Sequence, residues 1–502
     1  MKLLKSIYFS LIFATLSLSS CNQYSEVRGE DFPDNMVFGQ EIEREKDFVW
    51  RALNSWYFWQ KDVPKLSDDF RKSPQYLRYV SLKKTDELFY DLLFKFGEVD
   101  RNSWIMLDGI MQGKKASSNT MATVSTGFDY TILNDYPDKI ALVNYVVPGS
   151  AAKKAGLKRG DVIIKVNGNW LTNNNIRQLN SNQNSITVAL NPTVDGQHVR
   201  YSGEAKYNLV ASNVNEDPIH HCVAWNNDGV KVGYLMYNGF ESAYNGKLNS
   251  YFGFFKSQGV KELILDLRYN GGGSVKTAVA LAQMITGQFK DHDFVKLEFN
   301  HKHAKENSTL KMTDEISVAG GVEKINSLKL TRVYVLTSRG TASASEIVIK
   351  CLKPYINVIM IGDKTYGKYV GSITLYDSPD HDFTDSSKRN RAHKWSLQPI
   401  TFAYYDIYKT PTVLNEGMEP DHRIPNFKYI GTMKELQNEQ GHTIIENLVS
   451  DPAVEKALEL IHGASRARLS RMTRSIPIKD FEFVASRKTL TPFGTDVYLE
   501  KE

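Results

Sequence analysis

A serine at the start of an apolar helical run, a lysine twenty-five positions later and a run of three glycines ahead of both are residue types from which an acyl-transfer site can be built. They stand in Asp266-Leu267-Arg268-Tyr269-Asn270-Gly271-Gly272-Gly273, in Ser338-Arg339-Gly340-Thr341-Ala342-Ser343-Ala344-Ser345-Glu346 and in Lys364-Thr365-Tyr366-Gly367-Lys368. A serine hydroxyl is a weak nucleophile and needs a neighbour to take its proton, a role that an uncharged lysine fills without any histidine or aspartate. Ser343 is therefore the candidate nucleophile and Lys368 the candidate general base. A helix starting after Ser343 places the Ala344 N–H beside it. With an N–H from Gly272 or Gly273, that donor would form an oxyanion hole. A plainer reading is available for each part: Ser343 and Glu346 fit a capping box, the glycines a turn, and Lys368 a solvated surface position. Their joint occurrence after three successive strands favours the catalytic reading.

The elements that must position these residues are readable as an alternation. Residues 263–267 read as a buried strand, 274–286 as a helix that Gly287 can end, 332–336 as a strand, 344–352 as a helix and 357–361 as a strand. Such alternation predicts a mostly parallel sheet covered by helices. Parallel strands joined by right-handed crossovers end at one edge of the sheet, so the loops that follow them meet there. This unit spans 215–430, with polar stretches at 300–325 and 377–395 read as surface loops. A unit at 122–212 precedes it, and residues 41–118 read as helical, with Phe48, Ala52, Trp56 and Trp59 forming an aromatic stripe of core type.

Within the second unit, Val147-Pro148-Gly149-Ser150-Ala151-Ala152 through Gly160-Asp161-Val162 to Asn167-Gly168 closely resembles a PDZ domain. The resemblance implies that Gly127, Phe128, Asp129 and Tyr130 form the loop that receives a peptide carboxylate before the peptide adds as a strand. The three chemical segments, with Gly417-Met418-Glu419-Pro420-Asp421 after them, resemble the carboxyl-terminal processing peptidases, also called tail-specific proteases. That likeness covers about 120–425. It implies an α/β multidomain protein: a crotonase-like sheet-and-helix serine protease core, an inserted PDZ domain that receives the substrate's C-terminus, and an N-terminal helical region. It implies a Ser343/Lys368 dyad acting on protein or peptide substrates with free C-termini. One departure is that the family's glutamine, four residues after the lysine, is Ser372 here. Lys368 then needs another acceptor, and a carbonyl of Thr365–Gly367 or the hydroxyl of Thr365 or Ser345 is expected to serve, with Ser372 auxiliary.

The flanks speak to location. Residues 1–20 combine Lys2 and Lys5 with an apolar run at 7–18 too short to span a bilayer, and Leu18-Ser19-Ser20-Cys21 resembles the lipobox of bacterial lipoproteins. The expectation is a lipid anchor on Cys21, a polar tether over 21–40, and a place in the bacterial cell envelope. Residues 431–502 read as a helix begun by Asp451-Pro452 and ended by Gly463, then a tail whose Arg466, Arg468, Arg471 and Arg474 suit a solvated face or anionic lipid headgroups. The chain has 502 residues, 41% hydrophobic, with a net charge of +5 that still counts the two leader lysines. Without them the charge is close to balanced and argues for no particular partner, and no nucleic-acid partner is expected. Cys222 and Cys351 provide at most one bridge and read as small buried groups, and no histidine or cysteine spacing suits a metal. No cofactor is expected. Two other readings stay open: a PDZ-bearing peptide-binding lipoprotein with a vestigial core, and a protein acting on acyl groups.

Overall fold

The computed structural model describes residues 42–107, 122–424, 451–463 and 481–499 apart from 136, 196–197 and 492–493, with Leu448 and the short strands Tyr24–Ser25, Lys434–Gln437 and Thr443–Glu446. Helix α1 (Arg44–Trp56) presents Phe48, Ala52 and Trp56 on one buried face. α2 (Pro74–Ser81) and α3 (Thr85–Asp91) add Tyr76, Val80 and Leu88 to the same core. That core continues without a break into Val333, Val335 and Ile347 of the central unit, so the N-terminal helices are a wall of it. Trp56 fixes the contact by donating its indole N–H to the Asp382 carbonyl at 2.8 Å and stacking on His303.

The PDZ unit is an antiparallel sheet of β1 (Phe128–Asp135), β2 (Asp138–Val146), β3 (Val162–Val166), β4 (Gln183–Leu190) and β5 (Gly203–Val210). Its α4 (Ala151–Ala155) starts at Ser150, whose hydroxyl accepts the Lys153 N–H. It ends at Gly156, whose φ of 91° a side chain would disfavour.

Two six-stranded sheets build the central unit. In the first, β6 (Ile219–Asn227) and β7 (Val230–Tyr237) are antiparallel. β7, β8 (Glu262–Asp266), β12 (Arg332–Thr337), β13 (Asn357–Gly362) and β16 (His422–Arg423) follow side by side and parallel. The helices α5 (Asn245–Ser257), α6 (Val275–Thr286) and α7 (Ala344–Leu352) lie between these strands in sequence, the pattern read from the alternation. The second sheet runs β9 (Gly273–Ser274), β18 (Val497–Tyr498), β14 (Val370–Ser372), β15 (Ile400–Tyr405), β10 (Asp293–Phe299) and β11 (Ser308–Lys311). Residues 300–325, expected as surface loop, supply β11 and a hairpin. α8 (Pro452–His462) begins at Asp451, which accepts the Ala453 and Val454 N–H groups.

Residues 481–491 and 494–499 do not form the free tail the sequence suggests. β17 (Phe483–Ser486) pairs with β1 of the PDZ sheet, and β18 enters the second sheet of the core.

Candidate active site

The turn from β12 into α7 is bonded to the glycine loop before it reaches the serine. Thr341 donates its hydroxyl to the Leu267 carbonyl at 2.8 Å, and the Ala342 N–H donates to the Asn270 carbonyl at 3.0 Å. Ser343 then adopts φ 66° and ψ −116°. That left-handed backbone favours glycine and costs a side-chain-bearing residue about 1–3 kcal/mol, strain of a kind that gathers at functional sites. Ser343 is fully buried, and its Oγ has no hydrogen-bond partner. Only half of the capping box forms: Glu346 Oε2 accepts the Ser343 N–H at 2.8 Å.

Glu346 does more than cap. The same oxygen accepts the Lys368 N–H at 2.9 Å, while Oε1 accepts the Gly367 N–H at 2.8 Å and the Thr365 hydroxyl at 2.6 Å. Burial pushes this carboxyl upward, and the four donors pull it back without cancelling the shift. The Tyr404 hydroxyl bonds the Ser343 carbonyl at 3.1 Å and the Lys368 carbonyl at 2.8 Å. One carboxylate and one phenol thus hold the backbones of Ser343 and Lys368 together. Gly417–Asp421 supports the lysine turn from outside: the Thr365 N–H donates to the Met418 carbonyl, the Met418 N–H donates to Thr365 Oγ1 at 2.8 Å, and Asp421 accepts the Met360 N–H.

The partner of Lys368 differs from the expectation. Its Nζ lies 2.8 Å from Asp496 Oδ1, with side-chain exposures of 0% and 5%. The hydroxyls expected to serve are engaged elsewhere, Thr365 on Glu346 and Ser345 on the Asn270 carbonyl at 3.1 Å. Ser372 Oγ accepts from Gln398 Nε2 at 2.8 Å and donates to the Val497 carbonyl at 3.3 Å, so an amide does reach this place, from β15's neighbour in sequence. Since Ser372 bonds Gln398 and Val497 while Lys368 Nζ bonds Asp496, Ser372→Ala is expected to lower kcat/KM by less than about tenfold, roughly 1.4 kcal/mol. Side-by-side kinetics with Lys368→Ala check this, and equal losses would put Ser372 in the catalytic unit.

The glycine loop also needs a correction. Gly272 donates its N–H to Asn270 Oδ1 at 2.9 Å, and Gly273 is paired with Val497 of β18, so both candidate loop donors beside Ala344 are engaged in this structure. Gly272 is required on steric grounds: a Cβ there would stand 2.6 Å from Ser343 Cβ and 2.6 Å from the Asp496 carbonyl oxygen.

Arg268, fully buried, anchors the loop's base. It donates Nε to Asp266 Oδ1 at 2.9 Å and Nη2 to Asp451 Oδ2 at 2.7 Å, so the loop and the start of α8 share one guanidinium. The sequence marked Arg268 and Asp451 separately and did not join them.

At the PDZ loop, Gly127 has φ 84°, and Ser150 fills the space a Cβ would need. Phe128 and Tyr130 are buried. Asp129 accepts from Asn144 Nδ2 at 2.6 Å and from Arg487 Nε at 3.0 Å. The open edge expected for an incoming peptide is taken: Thr131 and Ile132 of β1 pair with Ser486 and Ala485. Cys222 and Cys351 are free thiols, Cys351 buried and Cys222 partly so, and burial pushes the Cys222 thiol up to about 12. Cys21 and the four tail arginines lie outside the described residues.

A PDZ unit ahead of a helix-covered core, with a strained serine at the N-terminus of a helix, defines a PDZ-bearing peptidase fold. The family model for peptidase family S41 matches residues 231–424, that for the S41 N-terminal domain residues 44–104, and a PDZ domain model residues 142–173. The chain belongs to peptidase family S41. Sequences named "Probable CtpA-like serine protease" from Staphylococcus aureus (strain COL) and Staphylococcus haemolyticus (strain JCSC1435) are 26% identical over 294 and 296 residues, 57% and 58% of this chain. The alignments take in 51% of each, so the chain spans about half the length of the curated relatives it matches. A solved structure from Bacteroides fragilis NCTC 9343, named as a candidate S41 protease, is 25% identical with a TM-score of 0.61. The match covers 85% of this chain and 99% of that one.

Proposed function

We propose that the chain is an envelope serine endopeptidase of the carboxyl-terminal processing type, with Ser343 as nucleophile and Lys368 as general base. The observation that carries this is the strained, buried Ser343 with an unpartnered Oγ, held to Lys368 through Glu346 and Tyr404. Ser343 Oγ attacks the scissile carbonyl carbon while Lys368 Nζ takes its proton. Lys368 returns that proton to the leaving amine, and water then hydrolyses the acyl-serine. The Ala344 N–H is the donor at the helix start for the oxyanion, and Gly273, which pairs with Val497 of β18, could join it only once that strand has left. A serine-directed phosphonate probe tests the reading: covalent adduct on Ser343, with turnover of peptides and not simple esters alone, is expected, and a site that takes no label sinks it.

The PDZ unit receives the substrate's C-terminal carboxylate beside Gly127–Tyr130, the likeness to PDZ domains being the support. C-terminal amidation removes the charge those donors bind. Slower cleavage of amidated than of free peptides is expected; equal rates would give the domain another task. The lipobox-like segment supports a lipid anchor on Cys21 and membrane attachment in the envelope. Cys21→Ser should move the protein from the membrane to the soluble fraction, since a protein without its acyl chains has no stable anchor. Membrane retention of the processed variant would refute lipid attachment there.

A further inference from the structure

The two places where this chain would take a peptide, the PDZ edge and the catalytic cleft, are both filled by its own C-terminal segment. β17 lies antiparallel on β1 and runs toward Gly127, the direction a bound peptide would take. Where that peptide would end in a carboxylate, the chain places Arg487, whose guanidinium bonds Asp129 at 3.0 Å and Glu216 at 2.8 Å. Burial works against both charges of the Arg487–Glu216 pair, yet Arg487 holds the Glu216 carboxyl down at about 2.

The segment then crosses to the cleft. Gly494 packs so closely on the glycine loop that a Cβ on Gly271 would collide with its carbonyl oxygen. β18 pairs in parallel with β9, Gly273 opposite Val497, and Ser372 of β14 lies opposite Tyr498. The Asp496 carboxylate closes on Lys368. The Nζ that would have to meet Ser343 Oγ as a base is thus engaged by a carboxylate. Both Ser343 and Lys368 are at 0% exposure, so no substrate reaches them while this strand is seated.

We propose that residues 483–491 and 494–499 are a resident peptide ligand of this protein, bound in cis at the PDZ edge and in the cleft, and that the strand must leave before Ser343 can meet a substrate. The occlusion stands on geometry; its consequence for turnover rests on the peptidase reading.

The test uses the full chain carrying Ser343→Cys, with alkylation of the introduced thiol by iodoacetamide followed by peptide mass spectrometry. Gly494→Val, whose side chain would collide with the Lys488 carbonyl, or the milder Asp496→Ala, is added to dislodge the strand. Each is expected to speed alkylation at least tenfold while the buried Cys351 stays protected, which reports that the core remains folded. Added synthetic peptide of residues 485–499 should slow alkylation again. In the Ser343 background the same changes should raise hydrolysis of an unfolded protein substrate about tenfold. Equal alkylation with and without the dislodging change would overturn the proposal, as would hydrolysis that falls when the strand is loosened, because the strand would then belong to the working site. Faster alkylation with no hydrolysis in any variant leaves the occlusion standing and removes the peptidase reading instead.

Discussion

Ser343→Ala and Lys368→Ala should each reduce hydrolysis of an unfolded protein by about 10⁴-fold or more, because nucleophile and base act as one unit and loss of either removes the covalent route. The measurement is made in the parent chain and in the Gly494→Val background, where the cleft is expected to be open. Neither change touches the backbone bonds from Ser343 and Lys368 to Glu346 and Tyr404, so the Ser343→Ala fold should survive. Lys368→Ala leaves Asp496 buried without its cation, and a lower unfolding midpoint is expected for that variant alone. Activity within a hundredfold of the parent in either variant would assign the chemistry to other residues.

Arg268→Met should cost about 3–5 kcal/mol of stability, read from the urea midpoint at constant m. The guanidinium lies between Asp266 and Asp451 with all three side chains at 0% exposure, and removing it strands two buried carboxylates. Burial alone would raise the Asp266 carboxyl; the Arg268 charge and hydrogen bonds reverse that and hold it below the usual carboxylate range. A carboxyl lowered by folding contributes stability above its unfolded pKa, and that contribution is lost as pH falls toward the folded value. The parent should therefore lose stability below about pH 4, and Arg268→Met should lose less over the same interval. A cost under about 1 kcal/mol would mean that water reaches the two aspartates and replaces the arginine.

What the sequence showed and what it hid follow from the range of the interactions. α7 spans Ala344–Leu352 as read, and β8, β12 and β13 sit within a residue of expectation, because a continuous buried run and a glycine cap are local signals. The meeting of the serine, lysine and glycine loops followed from parallel order. Asp496 left no such trace: it lies 128 residues from Lys368 beside a two-residue strand, and nothing in its neighbourhood has a period to detect. β17, four residues long, was equally silent, so the PDZ edge read as open. Ser372 at the position of the family's glutamine raised the question of what meets Lys368, and in this structure Asp496 does. The hydroxyls nominated for that role were wrong because Glu346, read only as a cap, collects Thr365 together with three backbone N–H groups.

Selection and stability pull in opposite directions at residue 343. A glycine would adopt φ 66° freely, so a copy of this protein released from the need to cleave would gain stability by losing its serine. A serine-to-glycine change here would make the protein harder to unfold by relieving that backbone. On the peptidase reading, a natural variant with glycine at this position and an otherwise intact chain would keep the fold and lose the nucleophile.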